Sequence, residues 1–275
     1  MPSPVAPVFQ KPAEPYDPRG RLDPARFARN ATFRTIAPPP DLKPFVEHFW
    51  IVRWHDIEGV YDNAEVMHRP YVDLFVAADS AGIQGTFRGK RIYRATGTGR
   101  VMGARLLPGA FRCFYAGELG NLQDRMLLLD IAFPAAGPAF HETIAADDDD
   151  AVAQVTALLR SANPVPDDNV TLINAIVAAI EADPDLSTVA AVARAFARSE
   201  RWVQQLFRDY VGVGLKWLLQ RRRLLLATAR IRTTDNPDWA DMAYALGYSS
   251  QQHFITDFRT VLGETPVQYK ANLSR

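Results

Sequence analysis

Arg201, Gln204, Gln205 and Arg208 recur at i, i+3, i+4 and i+7 of a stretch whose intervening positions carry Val203, Leu206, Phe207 and Tyr210. On a helix this spacing gathers the four polar side chains on one outward face and the four apolar ones on another. Guanidinium and amide groups so arranged can make paired hydrogen bonds to base edges and phosphates, which is the chemistry of recognition rather than of bond making. A second stretch repeats the logic. Phe254, Phe258, Val261 and Leu262 recur at i, i+4, i+7 and i+8, and Gln251, Gln252, Thr256 and Arg259 are left to face outward. Either face alone is equally well read as a solvated helix surface; the tandem duplication is what favours a DNA groove.

The elements that must position these faces are also legible. Ser187 or Thr188 caps a helix with Val189, Val192, Ala193 and Phe196 inward, a turn follows at residues 197–199, and Ser199 caps the first polar-faced helix. In the second copy a helix begins near Asp238 or Trp239, buries Met242, Ala243 and Leu246, and stops at Gly247, after which Ser249 or Ser250 caps the next. Between the copies, residues 215–233 contain neither Gly nor Pro. As a helix at about 1.5 Å per residue they would span just under ~30 Å, close to the roughly 34 Å turn of B-DNA. A rod of that length could hold two reading helices in successive major grooves on one side of a duplex. Arg221, Arg222 and Arg223 on this rod either touch phosphates or simply solubilise it and pair with nearby carboxylates.

These residues carry a resemblance. Ala243, Gly247, Tyr248, His253, Phe254, Phe258, Gly263, Thr265 and Pro266 stand as in the signature of the AraC/XylS family of bacterial transcription regulators, and Arg223, Leu224 and Ala227 resemble its linker-helix pattern. The likeness covers roughly residues 170–269. It implies a seven-helix DNA-binding domain with two helix-turn-helix units joined by a linker helix. By the same resemblance Arg201, Gln204 and Gln205 are the base-reading positions of the first unit, and Gln251, Gln252 and Thr256 those of the second. Ser199, Arg208, Lys216, Ser250 and Arg259 are the expected contacts to the DNA backbone. Three departures stand out: Gln205 where the family often has Arg, Gly214-Leu215 in place of a frequent Ser-Pro, and Leu225-Leu226 at linker positions that are usually polar. The last pair points to a contact with the other domain or with a second subunit.

Composition fits two globular domains: 275 residues, 48% apolar and 23% charged. The net charge is zero but polarised. From Ser187 onward 13 Lys and Arg face 7 Asp and Glu, a net of +6, against 18 and 24, a net of −6, in the preceding residues. The basic half is the half with the polar-faced helices, and the acidic half should keep away from phosphates.

The expected division is a Pro-rich extended arm at residues 1–30, a β-rich sensor or dimerisation domain with trailing helices at 31–162, a linker at 163–169 and the DNA-binding domain at 170–275. In the β-rich part the runs FVEHFWIVRW, YVDLFVAA, GIQGTFRG, KRIYRAT, RVMGARLLP and AFRCFYA read as strands of a small barrel or curved sheet, and residues 119–129 and 151–160 as helices. The fold class is thus α+β, a barrel-like β-rich domain followed by an all-α domain. More weakly, the strand with His48, Phe49 and Trp50, the run RPYVDLFV and the run VMGARLLPGAF resemble the uncharacterised sensor-like domains found ahead of AraC-type DNA-binding domains, which implies an effector-binding or dimerisation role and names no ligand.

The N-terminus has no apolar signal core and no run approaches a membrane span, so a cytoplasmic protein is expected. Cys113, the single cysteine, sits among Phe111, Phe114 and Tyr115 and reads as packing rather than redox chemistry. Double-stranded DNA is the expected partner; a small-molecule effector, RNA polymerase and a second copy of the chain are candidates. No membrane contact, cofactor, metal or catalytic residue is expected. The alternative is a metal-dependent barrel enzyme with a vestigial DNA-binding domain, because His48, His55, Glu65, His68 and Asp73 share one β-rich stretch, although their spacing matches no specific ligand pattern.

Overall fold

The computed structural model describes Leu22, residues 31–67 and residues 69–273. The expected Pro-rich arm lies outside the described residues except for Leu22, and so does His68.

The N-terminal part is one antiparallel sheet of six strands in the order β1-β2-β5-β3-β4-β6. The strands are β1 (Ala31–Ile36), β2 (Val46–Met67), β3 (Val72–Ala77), β4 (Ala81–Gln84), β5 (Lys90–Leu106) and β6 (Met126–Leu128). Alternation sets its faces. Phe49 and Ile51 of β2, Leu74 and Val76 of β3, Ile83 of β4 and Met102, Ala104 and Leu106 of β5 all point into one apolar core. The opposite face places Asp73 against Arg105 across the β3/β5 ladder, and the Arg105 guanidinium donates both Nε and Nη2 to the carboxylate at 3.0 Å.

Three sequence expectations are corrected here. KRIYRAT and RVMGARL are not two strands separated by a Gly turn but the single strand β5, because β2 runs alongside and the register shifts between Trp54 and Ile57 and again before Tyr61 absorb Gly97 at φ +57°. AFRCFYA is no strand: Gly109 at φ +82° turns the chain into a 3-10 turn at Ala110–Cys113. Residues 119–129 do not form one helix either. A 3-10 turn at Leu119–Leu122 is followed by Asp124 at φ +61°, which ends it, and by β6 on the edge of β4.

Helices α1 (Leu129–Ala132), α2 (Phe140–Thr143) and α3 (Asp148–Ser161) follow the sheet. The Asp147 carboxylate caps α3 by accepting from the backbone of Asp149 and Asp150, and α3 buries Ala151, Val155 and Leu159 in the sheet core. Then come seven helices: α4 (Asp168–Ala182), α5 (Val189–Ala195), α6 (Glu200–Val211), α7 (Leu215–Thr233), α8 (Trp239–Ala245), α9 (Gln251–Leu262) and α10 (Pro266–Leu273). They enclose two cores. The first joins Ile173, Ile176, Val192, Val203 and Phe207 to Leu215, Leu218 and Leu219 at the start of α7. The second joins Leu224, Leu225, Ala227 and Ile231 of α7 to Met242, Phe254, Phe258 and Tyr269.

Phe254 and Phe258 are fully buried, with ring centroids 5.7 Å apart in an edge-on arrangement. Truncating either removes a whole ring from this buried core. Phe258→Ala is expected to destabilise the second helical core by about 3 to 5 kcal/mol, measured by chemical denaturation; a loss under about 1 kcal/mol would mean that this ring is not a core element.

Candidate nucleic-acid interface

The two helix pairs α5–α6 and α8–α9 are built alike. Thr188 caps α5 by accepting from the Ala191 amide, and Asp238 caps α8 by accepting from Ala240 and Asp241. Each first helix then ends in a left-handed residue, Ala197 at φ +50° and Gly247 at φ +76°. Ser199 Oγ accepts from the Trp202 amide at 3.2 Å and Ser250 Oγ from the His253 amide at 3.1 Å. Both second helices run 12 residues and stop at a glycine of the same geometry, Gly212 and Gly263, each with φ 81° and ψ −3°. Of the paired choices left open by the sequence, Thr188 and Ser250 are therefore the caps. Ser199 and Ser250 spend their hydroxyls on this capping and are exposed at the helix starts.

The inward stripes are those expected. Val203, Leu206 and Phe207 are buried on α6, and Phe254, Phe258, Val261 and Leu262 on α9. Outward, Arg201, Gln205 and Arg208 of α6 are exposed, as are Gln251, Gln252, Thr256 and Arg259 of α9 and Lys216 of α7. The side chains of Arg201, Arg208, Lys216 and Arg259 have no hydrogen-bond or ion-pair partner among the described residues, so their donors are available to a ligand. Gln252 Nε2 reaches Thr256 Oγ1 at 3.4 Å, and Gln205 Nε2 donates to Asp209 Oδ1 at 2.8 Å. Gln204 is withdrawn from the face. It is half-buried, and a Cβ added at Gly214 would stand 2.7 Å from its Oε1. The sequence reading passed over Arg198 and Trp202, whose guanidinium and indole stack with the cation 5.0 Å from the ring at the start of α6, the indole being 38% exposed. An exposed tryptophan in the first turn of a polar-faced helix was the signal for it.

The three consecutive arginines of α7 do not share one role. Arg221 is 1% exposed, and its Nη2 donates to the carbonyls of Phe87 and Arg88, in the segment between β4 and β5. Its Nε and Nη1, and Nε1 of Trp217 beneath it, have no acceptor among the described residues. Burial pulls the Arg221 pKa down to about 10, against the pull of Asp124 and Asp257. Arg223 lies over the Tyr248 ring at 4.7 Å. The Tyr248 hydroxyl donates to Asp257 Oδ2 at 3.0 Å, and burial raises its pKa, with the Asp257 carboxylate adding to the rise. Leu225 is buried in the core that also takes Met67 of β2, so the apolar pair on the linker helix meets the β domain. Nearby, Lys90 Nζ of β5 donates at 3.0 Å both to Glu65 of β2 and to Glu264 beyond α9. Burial alone would lower the Lys90 pKa; the two carboxylates outweigh it and raise it.

Three of the residues considered for a metal have other partners. Asp73 accepts from Arg105 and from Trp50 Nε1, Glu65 from Lys90, and His48 Nδ1 lies 3.3 Å from Glu47. Among the described residues no group of three or more His, Cys, Asp or Glu could hold a metal ion.

A family model described as a helix-turn-helix domain matches residues 192–272, and a domain of unknown function (DUF6597) matches residues 34–127. Regulatory protein SoxS of Escherichia coli (strain K12) is 39% identical over 82 residues, 30% of this chain and 76% of that protein. The chain belongs to the AraC/XylS family of bacterial transcription regulators. Within that family, the HTH-type transcriptional activator AarP of Providencia stuartii is 35% identical over 71 residues, 26% of this chain and 52% of that protein. Among solved structures, the C-terminal domain of AraT from Geobacillus stearothermophilus aligns over 33% of this chain and 73% of its own at 27% identity, with a TM-score of 0.30. Unsaturated fatty acid bound wild-type ToxT from Vibrio cholerae aligns over 88% of this chain and 95% of its own at 12% identity, with a TM-score of 0.37. No helix among the described residues of this AraC/XylS protein is long and apolar enough to cross a membrane.

Arg221 is a buried cation with two unfilled donors, and its desolvation exceeds what two carbonyls return. Arg221→Met, which keeps the volume and removes the charge, is expected to leave stability unchanged or raise it by about 1 to 4 kcal/mol in a urea titration; a loss of about 3 kcal/mol or more would show the guanidinium to be a net stabiliser.

Proposed function

We propose that this protein is a sequence-specific DNA-binding regulator in which α6 and α9 read two adjacent major grooves of one duplex, and that it is not an enzyme. The observation that carries the reading is the repetition of one local geometry: two serine-capped helices of 12 residues, each ended by a glycine at φ 81°, each with an unpartnered arginine on its outward face. A merely solvated helix has no need to be built twice with the same caps and the same polar side turned out. Arg201, Gln205, Gln251, Gln252 and Thr256 read bases, and Gln204 does so after its amide leaves the α6–α7 turn. Ser199, Arg208, Lys216, Ser250 and Arg259 hold the phosphates.

The proposed division keeps an arm at residues 1–30, a sensor or dimerisation domain at 31–162, a linker at 163–169 and the DNA-binding domain at 170–275. Control comes through the β domain, by a small-molecule effector or by pairing of two chains. RNA polymerase is the expected partner of the DNA-bound form, and the site of action is the cytoplasm.

Selection of bound sites from a random duplex pool, followed by affinity measurements on the winning sequence, tests the reading. Arg201→Ala or Gln252→Ala should each cost about 1 to 3 kcal/mol on the selected site and relax base choice at one position. Lys216→Ala should weaken every sequence alike. Arg201→Ala with unaltered affinity and base preference would remove α6 from the reading surface.

A further inference from the structure

The segment that leaves β5 packs closely against α4 and against the glycine that ends α6. A Cβ on Gly212 would stand 2.6 Å from the Leu119 carbonyl oxygen, and one on Gly109 would stand 3.0 Å from Ile173 Cδ1. Asn174 Nδ2 also donates to the Pro108 carbonyl at 3.0 Å. The two parts are thus held in fixed relation, yet an open cleft of about 640 Å³ remains between this segment and the C-terminal half of α6.

Two cations line that cleft, one from each side. Arg112 belongs to the 3-10 turn that follows Gly109 and Arg208 to α6. Among the described residues Arg112 spends only Nη1, which donates to the carbonyls of Ala116 and Gly117 at 3.1 and 2.9 Å, and Arg208 has no partner. On the same walls Glu118 accepts from the Asn121 amide at 3.1 Å and Asp209 from the Gln205 amide at 2.8 Å, and among the described residues neither carboxylate pairs with Arg112 or Arg208. The guanidinium N–H groups left over, Nε and Nη2 of Arg112 and those of Arg208, suit an oxyanion. Its source follows from place and shape. Gln205, on the outward face of α6, lines the same cleft, and the cleft is open to solvent where a small ligand would need enclosure.

We propose that Arg112 and Arg208 together seat one phosphate of the DNA backbone at the edge of the groove read by α6, so that the β domain, contrary to the expectation from its net negative charge, takes a direct part in binding DNA through this one arginine. The inference rests on α6 being a reading helix.

Affinity for the selected site is measured over a series of salt concentrations for the full-length protein and for its R112Q, R112K and R208Q variants. Losing one phosphate contact lowers the slope of log K against log salt by about 0.9. R112Q should show that loss on selected and unrelated duplexes alike, R112K should keep the slope, and R112Q with R208Q should lose less than the two single changes added together. An unchanged slope in R112Q, with an unaltered melting curve, overturns the proposal. So does an equal loss in R112Q and R112K, which would mark a structural role for the side chain. Inorganic phosphate that raises the melting temperature of the native protein but not of R112Q, with both slopes equal, would make the cleft a small-oxyanion site and also overturn the DNA seat. If Arg201→Ala shifts base preference while R112Q leaves the slope intact, only this inference falls; if the native protein binds no selected duplex, the reading of α6 falls with it.

Discussion

Helix α7 is structural core for both helix-turn-helix units at once. Leu215, Leu218 and Leu219 at its start are buried with α4–α6, and Leu224, Leu225, Ala227 and Ile231 further along are buried with α8–α10. Sliding or bending α7 would therefore open one core or the other, at a cost of several kcal/mol for each large side chain exposed. The separation of α6 and α9 is in consequence set by the length of a helix of 19 residues rather than by a flexible tether. Reading of two adjacent grooves by one chain depends on that rigidity.

The β domain reinforces the frame by gripping both units. Against the first it uses the Gly109–Leu122 segment, with the Tyr210 hydroxyl donating to Asp167 at 2.7 Å close by. Against the second it uses Met67, the Phe87 and Arg88 carbonyls and the Lys90 bridge to Glu264. These contacts differ in kind. The first is close packing around Gly109 and Gly212 with a hydrogen bond from Asn174 to the Pro108 carbonyl. The second mixes apolar burial with charges that are only partly satisfied, Arg221 above all, and such interfaces are the ones that a change in hydration or charge can open.

The helical half was legible because its determinants are local. Ser199 and Ser250 announce helix starts, Gly247 announces a stop, and the periodic stripes of α6 and α9 leave only one face free. The β half was less so. Whether residues 97–99 turn the chain or pass through a bulge depends on β2, whose pairing partner is fixed by tertiary packing and not by the residues themselves. AFRCFYA has the composition of a strand, and only the left-handed Gly109 turns it into a 3-10 turn. The fate of Arg221 was equally hidden: a run of three arginines looks solvated, and nothing local says that the carbonyls of Phe87 and Arg88 wait for the first of them. Arg112 went unread for a similar reason, because its partner in the cleft, Arg208, is distant in sequence.

The most direct measurement of the central claim is the dependence of affinity on the spacing between the two half-sites in the selected duplex. Inserting about 5 base pairs, half a helical turn, rotates one groove to the far side of the DNA. Two reading helices fixed on one rigid rod cannot follow, so affinity should fall towards the non-specific level, and inserting about 10 base pairs should not restore it because the rod is too short. Full affinity at the altered spacings would mean that the units move independently or that only one of them reads DNA.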